Sequence, residues 1–544
     1  MLVAATVLGA GGASALPSAP PSGSASPGAG GTRGDQDESN GRRGDKENRG
    51  DKDDKGDKGD RGEESGRPGS PASTSARPTT PPSTGASTPA SAPTSASASA
   101  SASASGSASA KPSAVARPVP AGAVLAAAEA GPGAGLPTAQ GLQQALATVL
   151  TDQNLGTVGL AVADAADGQL LYGKGENTAA TPASTTKLAT SLAALSLIPG
   201  DTRLATRVVK NAATGGITLV GGGDPTLTAL PADQVQVAGV PADPDTAPAS
   251  LDALARQTAA ALKAAGTTTV VLDYDVSLYT GPLLHKNHDG ENIAAVTPLM
   301  VDEGKVDPKS LADAPARVTD PAGAAAESFA NLLKAQGVTV QGKAKAAAAP
   351  AAADAPVLGR VDSPTMARLV ERMLTTSDNT LAEAIARQAA IAAHQPAAFE
   401  GAATAVTQEL ARLGVPMTGV LLNDGSGLHP GNAIPPTVLV KLLGLAASAQ
   451  HPTLRPVLTG LPIAGFTGTL GKRFGAGSGA ADAAGLVRAK TGSLSGVNTL
   501  AGTVVDADGR LLAFALMTRT GAPVDTARAA MDRVVARLAA CGCR

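Results

Sequence analysis

The sequence predicts an α+β protein: an antiparallel sheet flanked by helices and built from both ends of the patterned region, with a domain inserted between the two parts. A long low-complexity region stands in front of it. Two observations predict this arrangement. Hydrophobic periodicity is missing from the first quarter of the 544 residues and then runs from near Leu136 to about Ala540. The patterned part opens as helix-strand-strand-helix and closes as strand-strand-strand-helix, which suits one sheet domain made from both ends. Aromatic residues are 1% and tryptophan is absent, so the core must be packed from Leu, Val, Ile and Ala.

Residues 1–16 are small and apolar and end in Ala13-Ser14-Ala15. They resemble the apolar core and cleavage zone of a signal peptide, without its basic start. The run is shorter than the roughly 20 residues of a membrane-spanning helix, so any membrane contact is expected only through this segment. Residues 17–135 form a linker, with a mixed-charge block over about 33–67 and a Ser-Ala repeat around 97–109. Gly56, Gly59 and Gly62 step by three, but the step lapses at once, and a collagen helix needs it sustained. Neither block buries enough apolar surface to offset chain entropy, and disorder is expected.

Residues 136–200 read as the first part of the sheet domain. Leu142, Leu146 and Leu150 share a helical face. Strands at Val158–Val162 and Leu170–Tyr172 flank an Asp-Ala-Ala-Asp-Gly turn, and a helix is expected over Ala183–Leu197 with Thr181 as cap and Pro182 in its first turn. Residues 201–360 read as the insertion, with short strands such as Ile217–Val220 and Thr268–Leu272. Residues 361–540 read as the second part. Ser363-Pro364 opens a helix with Met366, Leu369, Val370 and Met373 on one side, and a second helix covers Leu381–Ala393. Strands at Leu486–Thr491, Thr499–Val505 and Leu511–Thr518 precede a helix over Asp525–Ala539, and 541–544 is an incidental tail.

The net charge of −2 points to neither nucleic acid nor an anionic membrane as partner. Cys541 and Cys543 have no further ligands nearby and make a poor metal site. The cysteine-free body suits an oxidising, extracytoplasmic compartment.

Three short motifs carry chemistry. Ser184 and Lys187 lie three apart at a helix start, on one face and within reach of each other. A seryl hydroxyl becomes a nucleophile when a neighbouring base takes its proton, and a lysine whose pKa is depressed by burial can be that base. Ser377-Asp378-Asn379 occupies the joint between two helices, and Lys490-Thr491-Gly492 ends a strand. Taken singly, the first two read rather as a capped helix start with a solvated lysine and as helix-capping residues, and the third as an edge lysine and a turn glycine. Together and in this order they are the joint signature of class A β-lactamases and penicillin-binding proteins.

On these motifs the chain resembles the low-molecular-mass penicillin-binding proteins of the D-alanyl-D-alanine carboxypeptidase/endopeptidase group (peptidase family S13, class C). Supporting runs are Leu219-Val220-Gly221-Gly222-Gly223-Asp224-Pro225-Thr226, Tyr279-Thr280-Gly281-Pro282 and Asn423-Asp424-Gly425-Ser426-Gly427-Leu428. The spacing of the first two motifs leaves room for the insertion of that family and is far longer than in class A β-lactamases. The chain departs from the family in lacking tryptophan and in His429-Pro430 after Leu428. The resemblance implies a β-lactamase/transpeptidase-like domain and a hydrolase cutting D-Ala-D-Ala bonds of peptidoglycan peptides, acylated covalently by β-lactams, with no metal or organic cofactor. It makes Ser184 the nucleophile, Lys187 its base and Ser377 the proton relay to the leaving amine. Asn379 would bind the substrate amide, and Lys490, Thr491 and Gly492 the segment facing its carboxylate. Ser493 and Ser184 would lend backbone N–H groups to an oxyanion hole.

Rival readings are a non-turnover β-lactam or peptidoglycan sensor, a serine β-lactamase or esterase of the same fold, and an adhesin-like protein whose stalk is the functional part. No G-x-S-x-G elbow occurs in the patterned region. His285-Lys286-Asn287-His288-Asp289 reads as a solvated turn, and the glycines at 221–223 lack the Lys-Ser/Thr of a phosphate loop.

Overall fold

The structure, a computed structural model, describes residues 135–544. The signal-like segment expected at 1–16 and the linker expected at 17–135 lie, Gly135 apart, outside the described residues. The described part opens with α1 (Ala139–Leu146), β1 (Thr157–Asp164), β2 (Leu170–Lys174) and α2 (Thr186–Leu197). Next come β3 (Arg203–Asn211), β4 (Gly216–Val220), β5 (Gln236–Val237), β6 (Val240–Pro241) and α3 (Leu251–Ala264). Then follow β7 (Thr269–Val270), β8 (Leu272–Asp275), α4 (Pro321–Ala335), β9 (Thr339–Val340), β10 (Lys345–Ala346) and β11 (Val357–Thr365). The chain closes with α5 (Met366–Thr376), α6 (Asn379–Ala392), α7 (Phe399–Arg412), α8 (Pro436–Ala447), α9 (Pro456–Thr459), β12 (Val487–Leu494), β13 (Val497–Val505), β14 (Leu511–Arg519) and α10 (Val524–Ala539).

Five strands in the order β12-β13-β14-β1-β2, antiparallel throughout, form the first sheet, so the two ends of the described chain meet at the β14–β1 pairing. Its two faces differ in side-chain size. On β14, Leu512, Phe514 and Leu516 pack with α1 and α10, while Ala513, Ala515 and Met517 face the cluster holding α2, α5, α6 and α8. Strand periodicity sorts the residues this way, and the alanines let the second layer of helices approach closely. α2 is buried almost all round, as expected of a central helix, and it carries its polar residues inward with it.

A second sheet in the order β10-β8-β4-β3-β11 is drawn from residues 203–365 and combines antiparallel pairs around β3 with parallel pairs around β8. α3 and α4 cover it with Leu254, Leu262, Phe329 and Leu333. Two-residue pairings join β5 to β6 and β7 to β9.

Several local readings change. Thr181 does not cap the helix after it: Pro182 leads into a 3-10 turn over Ala183–Thr185, and the α-helix starts at Thr186. Ser363-Pro364 does not open a helix; β11 runs through both residues with a shifted register, and Thr365 caps α5 by accepting from Arg368 N. The shift lets an edge strand tolerate proline, which has no N–H to give. Lys490-Thr491-Gly492 lies inside β12 and not at its end. The tail is not incidental. Cys541 is 2% exposed in the α1–α10 core and disulfide-bonded to Cys543, and Cys543 O accepts from Thr138 N at 2.7 Å. Among the described residues, no helix is long and apolar enough to cross a membrane.

Candidate active site

The turn before α2 is tightly packed. Ala183 sits at φ 48°, in the left-handed region, which costs a non-glycine residue about 1–3 kcal/mol unless its surroundings fix it. Three elements do so. Thr499 Oγ1 of β13 donates to Pro182 O at 2.8 Å, and Thr185 Oγ1 donates to the same oxygen at 2.7 Å. Gly492 of β12 passes so near that a Cβ would stand 2.9 Å from Ser184 N, and Gly427 leaves no room for one against Ala183 O. Ser184 emerges half-buried from this clamp.

One turn further, Lys187 is fully buried. Its Nζ lies 3.1 Å from Ser184 Oγ, 2.6 Å from Asn379 Oδ1 and 2.7 Å from Ser426 O. These acceptors match the three N–H donors of an ammonium. Burial pushes the amine down to about 8, against the opposing pull of Asp424, Asp378 and Glu383. An amine in that range supplies a working fraction of free base near neutral pH.

Ser377 occupies the left-handed C-cap of α5 at φ 62°, ψ 21°. Asp378 then caps α6, accepting from Leu381 N at 2.8 Å and from Arg317 Nη2 at 2.8 Å. Burial pushes the Asp378 carboxyl up, but the Arg317 and Lys305 charges outweigh it and bring it to about 2. Lys490 Nζ donates to Ser377 Oγ at 2.7 Å and to Thr491 O at 2.8 Å. It too is fully buried, and burial together with the Lys187 charge holds it well below the usual lysine range.

Five of the eight residues singled out from the sequence therefore join in two hydrogen-bonded groups, Ser184–Lys187–Asn379 and Ser377–Lys490. Gly492 lies against the first. Thr491 Oγ1 is engaged by Thr469 Oγ1 at 2.8 Å, and Ser493 Oγ sits between Asn498 Oδ1 at 3.4 Å and Arg528 Nη2 at 3.2 Å. β12 is the edge strand of its sheet. Residues 462–464 pair with its first half through Ala464 N to Val487 O and Ala489 N to Pro462 O, and this cover stops just before Lys490.

Other members of the site had no sequence signal strong enough to assign them. Glu383, one turn along α6 from Asn379 and fully buried, accepts from Gly425 N at 3.0 Å and Ser426 N at 2.7 Å. Arg317 reaches in from the chain preceding α4 to bind Asp378 and Glu303 O. His285 is not part of a solvated turn: it is 4% exposed, and its Nε2 lies 3.1 Å from Asp424 Oδ2. A loop contact over more than a hundred residues leaves no periodicity to read.

A profile of the D-Ala-D-Ala carboxypeptidase 3 (S13) family matches residues 142–315 and 310–538. A carboxypeptidase of Mycobacterium tuberculosis is 34% identical over 420 residues, spanning 75% of this chain and 86% of that protein. A D-alanyl-D-alanine carboxypeptidase of Actinomadura sp. is 30% identical over 461 residues, 73% of this chain and 84% of that one. The solved structure of penicillin binding protein 4 from Haemophilus influenzae shares the fold, with a TM-score of 0.56 at 20% identity over 74% of this chain and 98% of that chain. The same protein has also been solved in complex with a β-lactam.

Proposed function

The chain belongs to the D-Ala-D-Ala carboxypeptidase 3 (S13) family of serine peptidases, and we propose that it cuts D-Ala-D-Ala bonds of peptidoglycan stem peptides through an acyl-enzyme on Ser184. The observation that carries this reading is the buried Lys187 amine, lowered to about 8 and 3.1 Å from Ser184 Oγ. The free amine takes the hydroxyl proton as Oγ bonds to the carbonyl carbon between the two D-alanines. Backbone N–H groups of Ser184 and Ser493 receive the developing oxyanion. As the C–N bond breaks, Ser377 passes its proton to the leaving amine, and the buried Lys490 ammonium stabilises the Ser377 oxygen. The proton carried by Lys187 refills Ser377, which leaves the Lys187 amine free to take a proton from the incoming water and return it to Ser184 Oγ. Water then cleaves the ester, returning Ser184 and releasing the shortened peptide.

The substrate is placed along the uncovered half of β12, where an extended peptide can add as a strand. Lys490 and Thr491 attract its terminal carboxylate. Asn379 is occupied on Oδ1 by Lys187 and on one Nδ2 hydrogen by Asn292 O at 2.9 Å, which leaves one hydrogen for the substrate amide. A β-lactam offers its ring carbonyl to the same serine and acylates it. A peptidoglycan-acting peptidase works in the cell envelope, and we infer that residues 1–16 direct export there.

Incubating the full chain with a fluorescent penicillin and mapping the labelled peptide tests the assignment. Label is expected on Ser184 and lost in Ser184→Ala; label retained elsewhere would sink it. Release of D-alanine from a stem pentapeptide separates the enzyme from a sensor that acylates without turnover.

A further inference from the structure

Acylation as read above requires the free amine of Lys187 to point at Ser184, and part of what aims it lies outside the three motifs. An unprotonated amine keeps two N–H bonds and one lone pair. Asn379 Oδ1 at 2.6 Å and Ser426 O at 2.7 Å are placed to take the two hydrogens, leaving the lone pair for the Ser184 hydroxyl. Asn379 is fixed by α6. Ser426 O is a loop carbonyl, and the loop is held by buried side chains.

Asp424 is 1% exposed and saturated with donors. Its Oδ1 accepts from Gly427 N at 2.9 Å and Asn432 Nδ2 at 2.6 Å, and its Oδ2 from His429 N at 2.6 Å. The remaining donor is His285 Nε2 at 3.1 Å, from the loop after β8. His285 Nδ1 accepts from Asn287 N at 3.1 Å. An imidazole that accepts at Nδ1 carries its proton on Nε2, the nitrogen facing Asp424. Its ring is packed edge-on against Phe399 of α7, with centroids 5.1 Å apart. The histidine thus ties the loop under Lys187 to a segment between the two motif-bearing parts of the chain.

We propose that His285 and Asp424 are positioning residues for acylation, clamping the 424–428 loop so that the Ser426 carbonyl sets the direction of the Lys187 lone pair. The inference rests on the reading of Lys187 as the base for Ser184. Asp378 at the cap of α6, Glu383 of α6, Asp424 of the loop and Lys490 of β12 are the charged groups that act on Lys187.

The test uses His285→Ala and His285→Gln in the full chain, since glutamine can return a side-chain N–H near the place of Nε2. Single-turnover acylation by a fluorescent penicillin gives the non-covalent binding constant, the acylation rate constant and the fraction of protein labelled. His285→Ala should lower the rate constant about 10- to 100-fold at unchanged binding and unchanged labelled fraction, and His285→Gln should recover most of it. A residue that only supports folding would reduce the labelled fraction and leave the rate of the remainder intact. That result, or a parental rate in His285→Ala, overturns the proposal. Asp424→Asn adds a second readout: removing the charge should move the acidic limb of the acylation profile down by about one pH unit, and an unmoved limb counts against the clamp. Label absent from Ser184 in the parent protein would overturn the DD-peptidase reading and this inference with it, whereas normal Ser184 labelling with an indifferent His285 overturns the inference alone.

Discussion

Replacing Gly492 by alanine probes how closely β12 must pass Ser184, the proposed nucleophile. A Cβ at this position would stand 2.8 Å from Pro182 O and 2.9 Å from Ser184 N, and would overlap the Thr499 hydroxyl. That hydroxyl is itself fixed by its 2.8 Å bond to Pro182 O, so it cannot swing aside without freeing the turn. Ordinary contact for such a carbon begins at about 3.5 Å, and relieving both backbone clashes needs a relative shift of about 0.6–0.7 Å. The cheapest direction pushes β12 and the Ser184 turn apart. Overpacking of this kind costs about 1–3 kcal/mol of stability, while misplacement of a reacting group by around 1 Å costs about 100-fold in rate. Gly492→Ala should therefore stay folded, melt a few degrees lower, and acylate with a fluorescent penicillin about 10- to 100-fold more slowly. Thermal unfolding and pseudo-first-order labelling read the two effects separately. Acylation within about twofold of the parent, less than 0.5 kcal/mol of barrier, would refute the requirement for backbone-distance packing.

Four further outcomes follow from the charges. With Lys187 lowered to about 8 by burial, the base form grows as pH rises, so acylation should climb about tenfold per unit below that value and then level off. Buried Lys490, also lowered, should lose its charge on the alkaline side and weaken capture of anionic peptide there; a rate already at its plateau at pH 6 would contradict the Lys187 assignment. Arg317→Ala strands a buried carboxylate, because Arg317 and Asp378 are 2% and 8% exposed and 2.8 Å apart. Urea unfolding should show a loss of about 3–5 kcal/mol, with Arg317→Lys falling between. Asp378, lowered from 3.8 to about 2, contributes stability that is present above its ordinary value and lost as pH falls through its folded one. Acid unfolding should lose about 2 kcal/mol over that window, and Asp378→Asn should flatten it.

The alternation of large and small residues on β14, the 3.6-residue period of α5 and the spacing of Ser184 to Lys187 are local, and local spacing determines which side chains share a face. The fold class and the three motifs were legible for that reason. Misreadings arose where local rules were outweighed by tertiary contacts. Thr181 gave way as a cap because Thr499 and Gly492 force the chain into a 3-10 turn, and Pro364 stayed in a strand because the β11 register shifts to admit it. The Cys541–Cys543 tail has no local pattern, and only its packing on α1 makes it part of the core. What the amino-acid order could not contain is who meets Lys187 from afar. The Ser426 carbonyl, the Glu383 and Asp424 carboxylates and the His285 imidazole converge only once the chain between the motifs has folded back on them. Burial by that convergence lowers the Lys187 amine to about 8. Spacing put Lys187 beside Ser184; desolvation, a property of the whole tertiary structure, lowers its amine and suits it to the base role proposed for it.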